Sequence, residues 1–147
     1  MTSRTLIDEL LAEQQSLTAV ERFAYAMVGV NVVVADTDAE AAFQFTSLQL
    51  RFLGMHRGRR GPLPRPIPVA ELEAMWSPQE RAGVERMLAA SAQGGPDAVS
   101  RQLATIVERT KADELIVACA LHDHKARLRS YELLASAVNH VGRVSAA

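Results

Sequence analysis

A single cysteine, Cys119, is all the thiol chemistry this 147-residue chain carries, so no intrachain disulfide can staple it. That cysteine lies inside an apolar run, where a small buried thiol is expected rather than a nucleophile, and a reducing cytoplasm suits it. Aromatic residues make up only 5%, too few for antiparallel sandwiches and barrels, while the abundant Ala, Leu and Val suit helices packed on a parallel sheet. Neither sign of charge dominates. Sixteen basic against seventeen acidic residues leave a formal charge of -1, so no global field draws the chain to nucleic acid or to an anionic membrane. No stretch approaches the roughly 20 apolar residues of a membrane span. The first residues, MTSRTLIDELLAEQQ, carry acids and lack the continuous apolar core of a signal peptide. The expected location is cytoplasmic, with neither nucleic acid nor membrane as partner.

What the chain does have is alternation. Its length suits a single domain over residues 1–147. Leu6, Leu10, Leu11 and Leu17 make an apolar stripe that predicts a helix over residues 5–17. Residues 25–35, YAMVGVNVVVA, read as a buried strand broken only by Asn31. Thr37 and Glu40 then have capping-box spacing, and Ala41, Phe45, Leu48 and Phe52 recur on one helical face that should end near Gly54. Residues 54–76 are rich in glycine, arginine and proline and read as a linker or lid, the four prolines excluding both helix and central strand. Ser77, Pro78 and Glu80 open another helix. A short strand over residues 91–95 leads to a helix buried through Val99, Leu103, Ile106 and Val107. Residues 115–121, LIVACAL, are uninterruptedly apolar, the pattern of a strand covered on both faces in a parallel sheet. A polar turn and an amphipathic helix follow. The order predicts the α/β class, with parallel strands and covering helices.

Three stretches together resemble one family, the bacterial luciferase-like, flavin-dependent monooxygenases. They are YAMVGVNVVVADTDAEAAFQFTSLQLRFL with the following RGRRGPLP, then GGPDAVSRQL, then ADELIVACALHDHKARLRSYELLA. The first is similar to that family's sixth strand and helix, the second to the turn opening its seventh helix, the third to its eighth strand and helix. The resemblance implies a partial TIM barrel, the last three β/α units of eight, because a full barrel typically needs about 250 residues. It also implies FMN as cofactor, a linker that climbs to the catalytic rim as a lid, and a monooxygenase or oxidoreductase activity. The serine pair typical after the family's fifth strand has no counterpart here, and residues 1–21 do not restore it. The chain is therefore expected to be inactive alone.

Candidate cofactor-binding residues lie where a barrel keeps its chemistry, at the strand ends. His122 and Asp123 follow the last strand, with His124 beside them. Asp123 capping the final helix is the plainer reading of that group. Gly94 and Gly95, with Pro96, open a helix whose free amides suit an anion, although a plain turn explains them too. Asn31 is the strand residue expected to face a pocket. Two histidines and a carboxylate without a third ligand do not make a metal site, and no metal is expected. Arg57, Arg59 and Arg60 read as a solvated linker. No catalytic residue is assigned. Three parallel strands leave open edges and apolar faces, so a homo-oligomer, a dimer above all, is expected. The alternative to a piece of a flavin enzyme is a stand-alone, non-catalytic α/β remnant that self-associates as a binding or structural module.

Overall fold

Five valines in the eight residues of MVGVNVVV favour the pleated backbone, and β1 (Met27–Val34) is the strand that results. The computed structural model describes residues 25–141; the helix expected over residues 5–17 lies outside the described residues. After β1 come α1 (Asp38–His56), α2 (Val69–Met75), α3 (Pro78–Met87), β2 (Ser91–Gly94), α4 (Pro96–Thr110), β3 (Glu114–Ala118) and α5 (His124–Val141). Among the described residues no helix is long and apolar enough to cross a membrane.

All pairing is parallel, and β1 lies in the middle of the order β2-β1-β3. Its second half, from Asn31, pairs with β2, and its first half, up to Asn31, with β3. Alternation sorts its side chains between two cores. Val30, Val32 and Val34 pack with Ala92, Val99, Leu103, Ile106 and Leu134, beneath α4 and α5. Val33 faces the other way, into Phe45, Leu48, Leu72, Trp76 and Val84 from α1 to α3. The middle position leaves each of these four valines no more than 2% exposed, and a fully buried valine is worth about 1.5–3 kcal/mol of transfer free energy. Neither of the other two described strands has as much to gain from that place.

The α/β class, the parallel strands and the covering helices are as expected. The pairing order is not that of three successive barrel units, which would pair in chain order with all helices on one outer face. Here the chain crosses from β1 to β2 in one direction and returns past β1 to β3 in the other. Right-handed crossovers in opposite directions lay their helices on opposite faces of the sheet. α1 covers one side and α4 the other.

The strand expected to be covered on both faces is instead an edge strand. β3 ends at Ala118, and Glu114, Ile116 and Ala118 are exposed while Leu115 and Val117 are half-buried. Ile116 is 53% exposed, because the layer of α1 to α3 lies over β1 and β2. Cys119 and Leu121, beyond the strand, are buried. The other edge is guarded. The Gln102 amide accepts from Gln93 N–H at 3.1 Å and donates to Gln93 C=O at 2.7 Å, standing in for a neighbouring strand on β2.

Local signals set the helix ends. Thr37 Oγ1 accepts from Glu40 N–H at 3.1 Å, and Ser77 with Glu80 forms the complete capping box at α3, with Pro78 at its first position. α1 runs two residues past Gly54, to His56. Of the stretch expected as linker, residues 69–75 form α2, because Pro68 C=O accepts from Glu71 and Leu72 and Leu72 is buried. The remaining link is pinned to the middle of α1, where Thr46 Oγ1 accepts from Ile67 N–H at 3.0 Å and lies 2.9 Å from Ile67 C=O. It turns back there, about 12 Å along the helix from Asp38, instead of climbing to the strand ends.

β1 outruns β3, and α5 makes good the difference. Val34 N–H donates to the buried Ser130 Oγ at 2.8 Å, and the Cys119 thiol lies 3.0 Å from the same oxygen. Ser130→Ala leaves the Val34 amide buried without an acceptor. It is expected to cost about 1–3 kcal/mol in urea denaturation, against less than about 0.5 kcal/mol for Ser136→Ala on the exposed side of the same helix. Equal losses at the two sites would contradict this role for Ser130.

Candidate functional site

In an open parallel sheet, ligands bind beyond the carboxyl ends of strands whose following helices leave to opposite faces. β1 and β2 are such a pair. Between their ends lies an open cleft of about 380 Å³, lined by Asp36, Thr37, Asp38, Gly95, Pro96, Asp97, Ala98 and Arg101. Asp38 Oδ1 accepts from Gly95 N–H at 2.6 Å, so the amide at the mouth of α4 already holds a carboxylate from this chain. Gly94 makes that approach possible. Its φ is +139°, and a Cβ there would lie 2.9 Å from both Asp38 Oδ1 and Ala98 Cβ. Asp36 is held by Arg129 at 2.7 Å, and this bond keeps its carboxyl below the usual range.

Three carboxylates, one guanidinium and an amide already engaged do not fit the phosphate of a flavin mononucleotide. A phosphate placed in the cleft would meet like charge from Asp36, Asp38 and Asp97 and would have to displace Asp38 from Gly95.

The remaining candidates lie elsewhere. Asp123 Oδ1 accepts from Ala126 N–H at 2.8 Å, the capping bond of α5. His124 Nδ1 lies 2.7 Å from Arg127 Nη2 and, facing a group that only donates, accepts. His122 is exposed beyond the end of β3. Asn31 is half-buried in mid-strand on the face of Val33 and lines none of these ends. Gly94 and Gly95 are thus together, His122 and Asp123 are together on the far side of β1, and Asn31 stands apart from both. Among the described residues no three His, Cys, Asp or Glu side chains converge as metal ligands. The Cys119 thiol is buried, and its desolvation pushes its pKa up, which makes it a poor nucleophile.

The arginine run is less free than its sequence implies. Arg57 Nε and Nη2 donate to the two Glu80 carboxylate oxygens at 2.7 and 3.0 Å, and Nη2 also donates to Met75 C=O at 2.9 Å. The partner lies 23 residues away in sequence, and nothing local announces it.

No protein-family model matches the chain. It is 42% identical over 109 residues to the "Luciferase-like monooxygenase" of Escherichia coli K12, a span of 74% of this chain and 32% of that protein. It is 40% identical over 111 residues to the "Uncharacterized protein YvbT" of Bacillus subtilis, covering 76% of this chain and 32% of that one. Among solved structures it is similar to the crystal structure of apo-MsnO8, with a TM-score of 0.61 and 32% identity over 78% of this chain and 35% of the other. The chain spans about a third of the length of the curated relatives it matches.

Glu80 provides a titration that tests the linker geometry. Its carboxyl is lowered from 4.5 to about 2, first by Arg57 and then by the Ser77 backbone amide. A carboxyl depressed on folding adds stability above its unfolded pKa and loses that contribution as pH falls through the folded one. The stability gap between wild type and Glu80→Gln should therefore be full at neutral pH and close as pH falls from 4.5 toward 2, read by urea denaturation at each pH. A gap unchanged across that window would contradict the Arg57 to Glu80 pairing.

Proposed function

We propose, on the premise of this chain's kinship with the luciferase-like monooxygenases, that it corresponds to the C-terminal β/α units of such an enzyme and neither holds FMN nor turns over alone. The observation that carries this reading is the Asp38 carboxylate on Gly95 N–H, among acids, at the strand ends. The short span of the match supports it, since the relatives are about three times as long as the shared region. In this reading the chain contributes packed β/α units, and the groups that grip a flavin come from sequence it does not contain. A cytoplasmic location belongs to the same proposal.

A second reading has an observation of its own, the open flank of β3. Ile116 and Met27 share one face of the sheet and are 53% and 52% exposed, and Gly29, paired beside Ile116, leaves open space there. An exposed apolar patch beside an edge that no other described strand pairs is what a second copy of the chain would cover, so a homodimer through this flank is proposed for the stand-alone form.

Each reading has its own measurement. Titration with oxidised and reduced FMN, followed by flavin fluorescence and absorbance, is expected to show no saturable binding up to about 100 μM. A dissociation constant below about 10 μM for the chain alone would overturn the first reading. Light scattering is expected to give a dimer at micromolar concentration that Ile116→Lys converts to a folded monomer. A wild-type chain that is already a folded monomer would overturn the second.

A further inference from the structure

A second cleft lies at the opposite end of α1 from the strand ends, a helix length of about 28 Å away. It encloses about 490 Å³ between the last turns of α1, the linker and the end of α2. That volume is within the range of small-molecule sites, roughly 300–1,000 Å³. Its apolar surface includes Leu50, Leu53, Met55 and Met75, its rim carries Arg51, Arg59 and Arg60, and none of its lining residues is acidic.

These three guanidinium groups have no assigned task. Among the described residues none of them forms an ion pair, whereas their neighbour Arg57 is satisfied by Glu80. Arginines at a helix C-terminus commonly neutralise its unpaired carbonyls. Here backbone amides do so already: Arg57 N–H bonds to Leu53 C=O, Gly58 N–H to Met55 C=O and Arg59 N–H to Gly54 C=O. Gly58, at φ +72°, makes that reversal. The wall is also held in place, by Arg57 on Met75 and Glu80 at one end and by Thr46 on Ile67 at the other.

We propose that this cleft binds a small amphipathic anion, with a carboxylate or phosphate head held by Arg51, Arg59 and Arg60 and a short apolar body on Leu50, Met55 and Met75. Guanidinium groups suit such heads because each presents a planar fork of donors that matches two oxygens at once. The apolar surface supplies what inorganic phosphate cannot use. A pinned linker and a concave floor favour a small ligand over an acidic polypeptide. The proposal is independent of the flavin reading, since the two sites share no residue.

The test is calorimetric titration of the full chain with octyl phosphate, octanoate, inorganic phosphate and octanol, each kept below its aggregation limit. Saturable binding of octyl phosphate or octanoate is expected, the tighter of the two identifying the head group. Inorganic phosphate and octanol should each bind about tenfold more weakly or not at all. The double variant Arg59→Ser with Arg60→Ser should lose about tenfold or more in affinity with its melting temperature unchanged. Arg65→Ser, on the same linker outside the cleft, should bind as wild type does. Absence of saturable binding by both amphiphiles, or wild-type affinity in the double variant, would overturn the proposal.

Discussion

The structure depends on saturating one strand. β1 has two hydrogen-bonding edges, one face of four valines and an opposite face that buries Val33, and the buried parts of each must be satisfied away from water. β2 takes the second half of one edge and β3 the first half of the other. α1 to α3 cover one face, and α4 with α5 cover the other. Where β3 falls short, Ser130 supplies the acceptor that a longer strand would have given to Val34. In a complete barrel the neighbours of such a strand are the strands before and after it. The chain spans about a third of its relatives' length, and among its described residues there are three strands, of which β3 takes the edge of β1 that an earlier strand would close.

The other features follow from that placement. Putting β1 in the middle makes β3 an edge strand and leaves Ile116 and Met27 facing solvent. It also sends α1 and α4 to opposite faces, which opens a crevice at the ends of β1 and β2. What fills the mouth of that crevice is Asp38 from the chain itself, so the place where relatives of this fold class bind ligands is here acidic and internally bonded. The basic, concave surface lies at the far end of α1, built by the linker and not by the sheet.

Much of the fold was legible because helices and strands carry local codes. The Ser77, Pro78 and Glu80 box predicted the start of α3, and Val99, Leu103 and Ile106 predicted the buried face of α4. Asp123 read as a cap and is one. Pairing order was not legible, because nothing in LIVACAL distinguishes a strand buried on both faces from one whose cover is missing. The linker's course was hidden for a similar reason. The bonds that pin it join residues 21 and 23 apart, Thr46 to Ile67 and Arg57 to Glu80, and neither spacing belongs to a local motif. At the candidate site, the glycines of α4 correctly marked a helix mouth. Only the folded chain shows that Asp38, 57 residues away from Gly95, had taken it.

The account stands on the order β2-β1-β3, and NMR measures that order directly. Interstrand NOEs between backbone protons are predicted to link residues 27–31 with residues 114–118, and residues 31–34 with residues 91–94. NOEs joining residues 91–94 to residues 114–118, with none between the first strand and the last, would show strands paired in chain order and would contradict it.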